Sequence, residues 1–170
     1  MAAINRIVGV VRELVLRADS HDPFKICEEL DIRIRYHELG SIKAYYFCQS
    51  RIKNIVINSS ADENQRKVLC AHELGHAVLH ERIVSQHTFH EKSLFDSTTP
   101  TEYEANLFAA ELLVCDEDIL ENKNDSFFSI ASRLCVPSAL VDFKCRIMKS
   151  RGYDIHIPEH SDSRFLKDDI

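Results

Sequence analysis

The stretch Ala71-His72-Glu73-Leu74-Gly75-His76-Ala77 lies inside a helical pattern and reads His-Glu-x-x-His. Residues four apart on a helix advance by about 400°, so His72 and His76 project from one face, one turn apart. That separation lets two imidazoles meet a single zinc ion at about 2.0–2.1 Å each. Glu73 sits beside that face, within reach of a water held there, where a carboxylate serves as the general base of a hydrolysis. The bland alternative is a chance pair of histidines on an amphipathic helix. The rest of the chain decides between them.

Two histidines do not complete a catalytic zinc site, which takes three protein ligands and keeps a fourth position open. A third histidine in the long His-Glu-x-x-His-x-x-Gly-x-x-His pattern is excluded, because Leu79 and Arg82 occupy the required glycine and histidine positions. His80 lies one more turn along the helix, but two steps of four residues accumulate about 80° of rotation and tend to carry it off the metal. The better donors lie downstream in Glu102-Tyr103-Glu104-Ala105-Asn106-Leu107-Phe108-Ala109-Ala110-Glu111-Leu112-Leu113. Glu102 and Asn106 share one face, one turn apart: a carboxylate for the metal and an amide to hold a ligand histidine by its other ring nitrogen. Glu104 lies about 200° round from Glu102 and is the alternative ligand, requiring the helix to be turned over. Glu111 is more than two turns away.

The surrounding sequence predicts an α+β chain, a small antiparallel sheet of about three strands packed with a mainly helical core. Ile4, Ile7, Val8, Val11, Leu14 and Val15 recur at helical spacing, and Asp22-Pro23 is a helix start leading into residues 24–30. Extended runs at 32–36, 43–48 and 51–58 are rich in β-branched residues, with turns at Gly40-Ser41 and Gln49-Ser50. Ser60-Ala61-Asp62-Glu63 offers a capping box for the helix that carries the histidines. The polar segment 82–99, with His87 and His90, reads as a loop. Helices are expected at 101–115, 126–134 and 137–149, and a last extended piece at 153–157.

At 170 residues and 45% apolar content the chain can bury one good core, so a single domain spanning 1–170 is expected, with 126–170 as a C-terminal extension. A net charge of −6 and the lack of a Lys/Arg block argue against direct nucleic-acid binding. No apolar run approaches a membrane span, and residues 1–12 lack the features of a signal peptide. A cytoplasmic protein is expected. The six cysteines contain no Cys-x-x-Cys pair and lie mostly in apolar segments, so they read as reduced core residues.

With both segments in view, His72-Glu73-Leu74-Gly75-His76 followed by Glu102-x-Glu104-Ala105-Asn106-x-Phe108-Ala109-Ala110-Glu111-Leu112-Leu113 resembles the ImmA/IrrE family of zinc metallopeptidases. The run Ile55-Val56-Ile57-Asn58, Arg66, and Pro23-Phe24-x-Ile26-Cys27-Glu28-Glu29-Leu30-Asp31-Ile32 add to the resemblance, which covers roughly residues 20–146. It departs from the family at Leu112-Leu113-Val114-Cys115, where Leu-Leu-Met-Pro is common. The resemblance implies a zincin-like core, zinc held by His72, His76 and Glu102, and Glu73 as the catalytic glutamate. It also implies a narrow substrate, a helix-turn-helix repressor of a mobile element, prophage or stress locus, with the C-terminal helices engaged in recognising it. The competing classes are a non-catalytic module that grips the repressor without cutting it, and a zinc hydrolase of other specificity. Tyr103, His156 and Arg66 are the donors available to steady an oxyanion, and spacing does not choose among them.

Overall fold

The computed structural model describes residues 2–80, 99–123 and 125–155. Helices α1 (Ala2–Ala18) and α2 (Pro23–Glu29) lead into strands β1 (Ile32–His37), β2 (Ala44–Gln49) and β3 (Ile52–Asn58). Helices α3 (Glu63–Leu79), α4 (Pro100–Leu113), α5 (Asp116–Leu120), α6 (Phe127–Leu134) and α7 (Ser138–Ser150) follow. The class is α+β, a three-stranded sheet among helices, as the patterning predicts. The short α5 was not expected; Asp118 starts it by accepting the Cys115 amide at 2.9 Å.

The sheet corrects one expectation. Its order is β1-β3-β2, with β2 antiparallel to β3 but β1 parallel to it, so the sheet is mixed and not wholly antiparallel. The reason lies in the two connections. Between β2 and β3 the turn is Ser50-Arg51, both at positive φ (52° and 67°), the two-residue geometry that matches strand twist in a tight hairpin. Between β1 and β2 the chain crosses to the far edge, pinned by Asn58: its amide donates to the carbonyls of Gly40 at 3.1 Å and Ile42 at 2.9 Å. The central position of β3 also explains its imperfect alternation. Asn54, Ile55, Val56 and Ile57 are all buried although successive side chains point to opposite faces, so both faces are covered.

Helix α3 starts from a capping box whose N-cap, Asp62, lies two residues later than the expected Ser60. Asp62 accepts the Gln65 amide at 2.8 Å and Gln65 returns the bond to the Asp62 amide at 3.1 Å. Ser60 stands outside the box and turns back to Asn58, its amide and hydroxyl donating to Asn58 Oδ1 at 3.1 and 2.9 Å. Thr99 caps α4, accepting from the Glu102 amide at 3.3 Å, and Pro100 occupies the first turn. α3 lies between the sheet and α4, packing against α2, β2 and β3 on one side and along α4 on the other. One apolar cluster runs from Ile7, Val11 and Leu14 of α1 through Leu69 and Leu74 to Leu140, Val141 and Ile147 of α7. All six cysteines are unpaired, and Cys27 and Cys70 meet in this core with sulfurs 3.8 Å apart. Of the expected loop at 82–99, residues 82–98, with His87 and His90, lie outside the described residues. Of the extended piece at 153–157, residues 153–155 are described and join no sheet.

Candidate metal centre

α3 and α4 cross with almost no clearance. A Cβ placed on Gly75 would stand 3.2 Å from Ala105 Cα and 3.2 Å from Phe108 Cβ, so glycine is what lets the two backbones meet here. This contact brings the start of α4 over the histidine face of α3. Eight polar or charged residues are buried among the described residues; His72, Glu73, His76 and Asn106 lie on these two helices and His80 caps α3. Such residues are seldom buried without a partner or a task.

Three donor atoms converge. His72 Nε2 lies 3.2 Å from His76 Nε2 and 3.2 Å from Glu102 Oε2, and His76 Nε2 lies 3.4 Å from Glu102 Oε1. Among the described residues, His72, His76 and Glu102 are the one such group of three or more able to hold a metal ion. A tetrahedral ion bound at 2.0–2.1 Å holds its ligand atoms about 3.3–3.4 Å apart, so these separations fit zinc with little movement. Both histidines are at most 3% exposed and Glu102 is 12% exposed at its side chain, leaving the carboxylate on the open side. Glu73 is buried beside them on α3.

Behind the three donors lies an arrangement that spacing did not predict. His80, the C-cap residue of α3, places its Nδ1 3.3 Å from His76 Nδ1 and its Nε2 3.1 Å from Glu104 Oε2. Arg6 of α1 donates to the same Glu104 oxygen at 2.7 Å. Helical drift therefore moves His80 behind His76 without removing it from the site. Glu104 does not need α4 turned over to reach α3: it meets the next turn along, beside Glu102's own contact. Burial holds the His80 pKa below its ordinary value, against the raising pull of its bond to Glu104. Repetition of histidine at 72, 76 and 80 was the available signal.

The remaining predicted residues fall elsewhere. Asn106 is wholly buried, but neither of its amide atoms has a hydrogen-bond partner, so no bond to either histidine is formed. Tyr103 packs edge-on against Phe143 with ring centres 5.6 Å apart. Arg66 donates to the Ser59 carbonyl at 2.9 Å and covers the Tyr36 ring. His156 lies outside the described residues. Glu111 is engaged with Lys144 at 2.7 Å and serves the packing of α7 on α4.

Comparison with known proteins gives the family. The model of a peptidase family, M78, described as the IrrE N-terminal-like domain, matches residues 27–146. A protein of Bacillus phage phi105 named uncharacterized immunity region protein 2 is 35% identical over 144 residues, 81% of this chain and 88% of its own length. Metallopeptidase ImmA of Bacillus subtilis (strain 168) is 27% identical over 139 residues, 79% of this chain and 80% of its own length.

Proposed function

The chain belongs to the IrrE N-terminal-like family of metallopeptidases, and from that premise we propose that it is a zinc-dependent endopeptidase that cleaves a helix-turn-helix repressor. The observation that carries the zinc reading is the spacing of His72, His76 and Glu102, with donor atoms 3.2–3.4 Å apart. These three residues would hold the ion. When bound, zinc would act as a Lewis acid, lowering the pKa of a water towards about 7 and polarising the scissile carbonyl. Glu73 supplies the proton transfers: its carboxylate takes the proton of the attacking water and then delivers it to the leaving amine. Burial of Glu73 and both histidines keeps competing water from the reacting groups.

The repressor reading is supported by the family resemblance and by the phage relative, whose name associates it with an immunity region. Residues 126–170 are proposed to contribute to recognising that substrate. No helix among the described residues is long and apolar enough to cross a membrane, in keeping with action in the cytoplasm.

The test is incubation of the zinc-loaded chain with a helix-turn-helix repressor encoded beside it, read by mass spectrometry. Cleavage at one site, abolished in Glu73→Gln while zinc content stays near one per chain, is the expected result. Repressor inactivation that survives in Glu73→Gln would replace hydrolysis with binding. Ready hydrolysis of casein would point to a broad hydrolase.

A further inference from the structure

We propose that Arg6, Glu104 and His80 form a directional hydrogen-bond chain that fixes the tautomer of His76 and thereby sets the metal affinity of the centre. The inference rests on the zinc reading above and assigns Glu104 and His80 a positioning role, not one as ligands.

The direction of the chain follows from what each group can do. A guanidinium only donates, and an ionised carboxylate only accepts. Arg6 donates to Glu104 Oε2 at 2.7 Å, so Glu104 is held as the acceptor of this pair. The His80 Nε2 that lies 3.1 Å from this same oxygen must then carry the proton. A neutral imidazole protonated at Nε2 has its lone pair at Nδ1. That lone pair faces His76 Nδ1 at 3.3 Å and accepts its proton. With the proton held at Nδ1, the His76 lone pair is at Nε2, the atom that stands with His72 Nε2 and Glu102 Oε1. With both imidazoles neutral, reversing the His76–His80 bond would set the His80 Nε2 lone pair against the Glu104 carboxylate. Groups that orient a ligand histidine through its other ring nitrogen contribute about 10–100-fold to metal affinity.

The chain also ties the N-terminal helix to the centre. Arg6 lies on α1, outside the residues 27–146 that match the family. Its partner Glu104 lies on α4, two residues past the proposed ligand Glu102. A ligand's basicity is thus coupled to how α1 docks on α4.

The experiment measures zinc affinity by chelator competition, and histidine tautomers by long-range proton–nitrogen spectra. It uses the full-length wild type, His80→Phe, His80→Gln, Glu104→Gln and Arg6→Gln. His80→Phe is expected to weaken zinc binding about 10–100-fold. His80→Gln, whose amide both accepts and donates, should recover most of that loss. Glu104→Gln should weaken binding less than His80→Phe and convert His80 from the Nε2-protonated form to a mixture. Should His80→Phe fail to fold, Glu104→Gln and Arg6→Gln, both at partly exposed sites, carry the test. Zinc affinity and tautomers unchanged in His80→Phe and Glu104→Gln, with one zinc still bound, would overturn the chain and leave the zinc site standing. So would a wild-type His80 protonated at Nδ1. Loss of zinc in Glu104→Gln as complete as in Glu102→Ala would make Glu104 a ligand and overturn its positioning role. A wild type that takes up no zinc would overturn the metal reading itself, and this inference with it.

Discussion

At the scale of single residues, Asn106 separates the site's stability from its chemistry. Its amide is completely buried with both polar atoms unpartnered, and each such atom costs about 1–3 kcal/mol of desolvation. Asn106→Leu, of similar size, should therefore raise the thermal midpoint by several degrees while zinc affinity stays at the wild-type level. A loss of zinc affinity instead would restore the role that its position one turn from Glu102 suggests, that of holding a ligand histidine. Glu73 is the opposite case. Its removal as Glu73→Gln is expected to abolish hydrolysis and leave metal binding intact, because it is not among the three converging donors. The role proposed for it rests on the motif alone, a glutamate beside two histidines at four-residue spacing. The place of His80 was not legible in the sequence, because angular drift along an isolated helix says nothing of what stands behind it.

At the scale of elements, the crossing of α3 and α4 governs the centre. In Gly75→Ala the added methyl meets the Ala105 backbone at 3.2 Å, and backbone cannot rotate away. Overpacking of this kind costs about 1–3 kcal/mol, against a gain of up to about 1 kcal/mol from the better helix former. The expected result is a net loss of stability. Weaker zinc binding should accompany it, as the helix bearing Glu102 is pushed from the one bearing His72 and His76; calorimetry and chelator competition read the two effects separately. The β2–β3 hairpin is expected to behave independently of the site. Arg51 at φ 67° carries a left-handed conformation that costs a side-chain-bearing residue roughly 1–2 kcal/mol and glycine little. Arg51→Gly should raise the melting temperature by about 2–4 °C, with zinc affinity unchanged. A lowered melting temperature would show that the Arg51 side chain contributes more than its backbone costs.

At the scale of the whole molecule, the C-terminal helix is fastened by charge. Lys144 of α7 is 2% exposed and pairs with Glu111 of α4 at 2.7 Å and Asp116 of α5 at 2.8 Å; Arg151 adds a contact to Asp116 at 2.9 Å. Burial alone pushes the Asp116 carboxyl up, but the hydrogen bond and charge of Lys144, with Arg151, outweigh it and hold it below its ordinary value of 3.8. A carboxylate with a depressed folded pKa contributes stability that is fully present above the unfolded value and disappears as pH falls through the folded one. Melting temperature should therefore drop steeply below pH about 4, and Asp116→Asn should be less stable at neutral pH with a shallower acid decline. Parallel acid curves for the two proteins would remove Asp116 from the account. Removing the cation, as in Lys144→Ala, leaves two carboxylates facing a buried gap and is expected to cost about 3–5 kcal/mol.

What the chain determines by itself is local and periodic. Helix α3 with its histidine pair, the Asp22-Pro23 helix start, and the three extended runs can be read from residues within one or two turns of each other. The forces involved, such as capping, proline's fixed φ and side-chain periodicity, act over that range. Only the tertiary structure decided the rest. It paired β1 parallel to β3, because register between distant strands depends on how connections cross the sheet. It brought Glu102 of α4 to His72 and His76 of α3 across a glycine contact that has no meaning until two helices touch. It also set Arg6, Glu104 and His80 in line from three separate helical segments, since a hydrogen bond is decided by final distance and direction and not by separation along the chain.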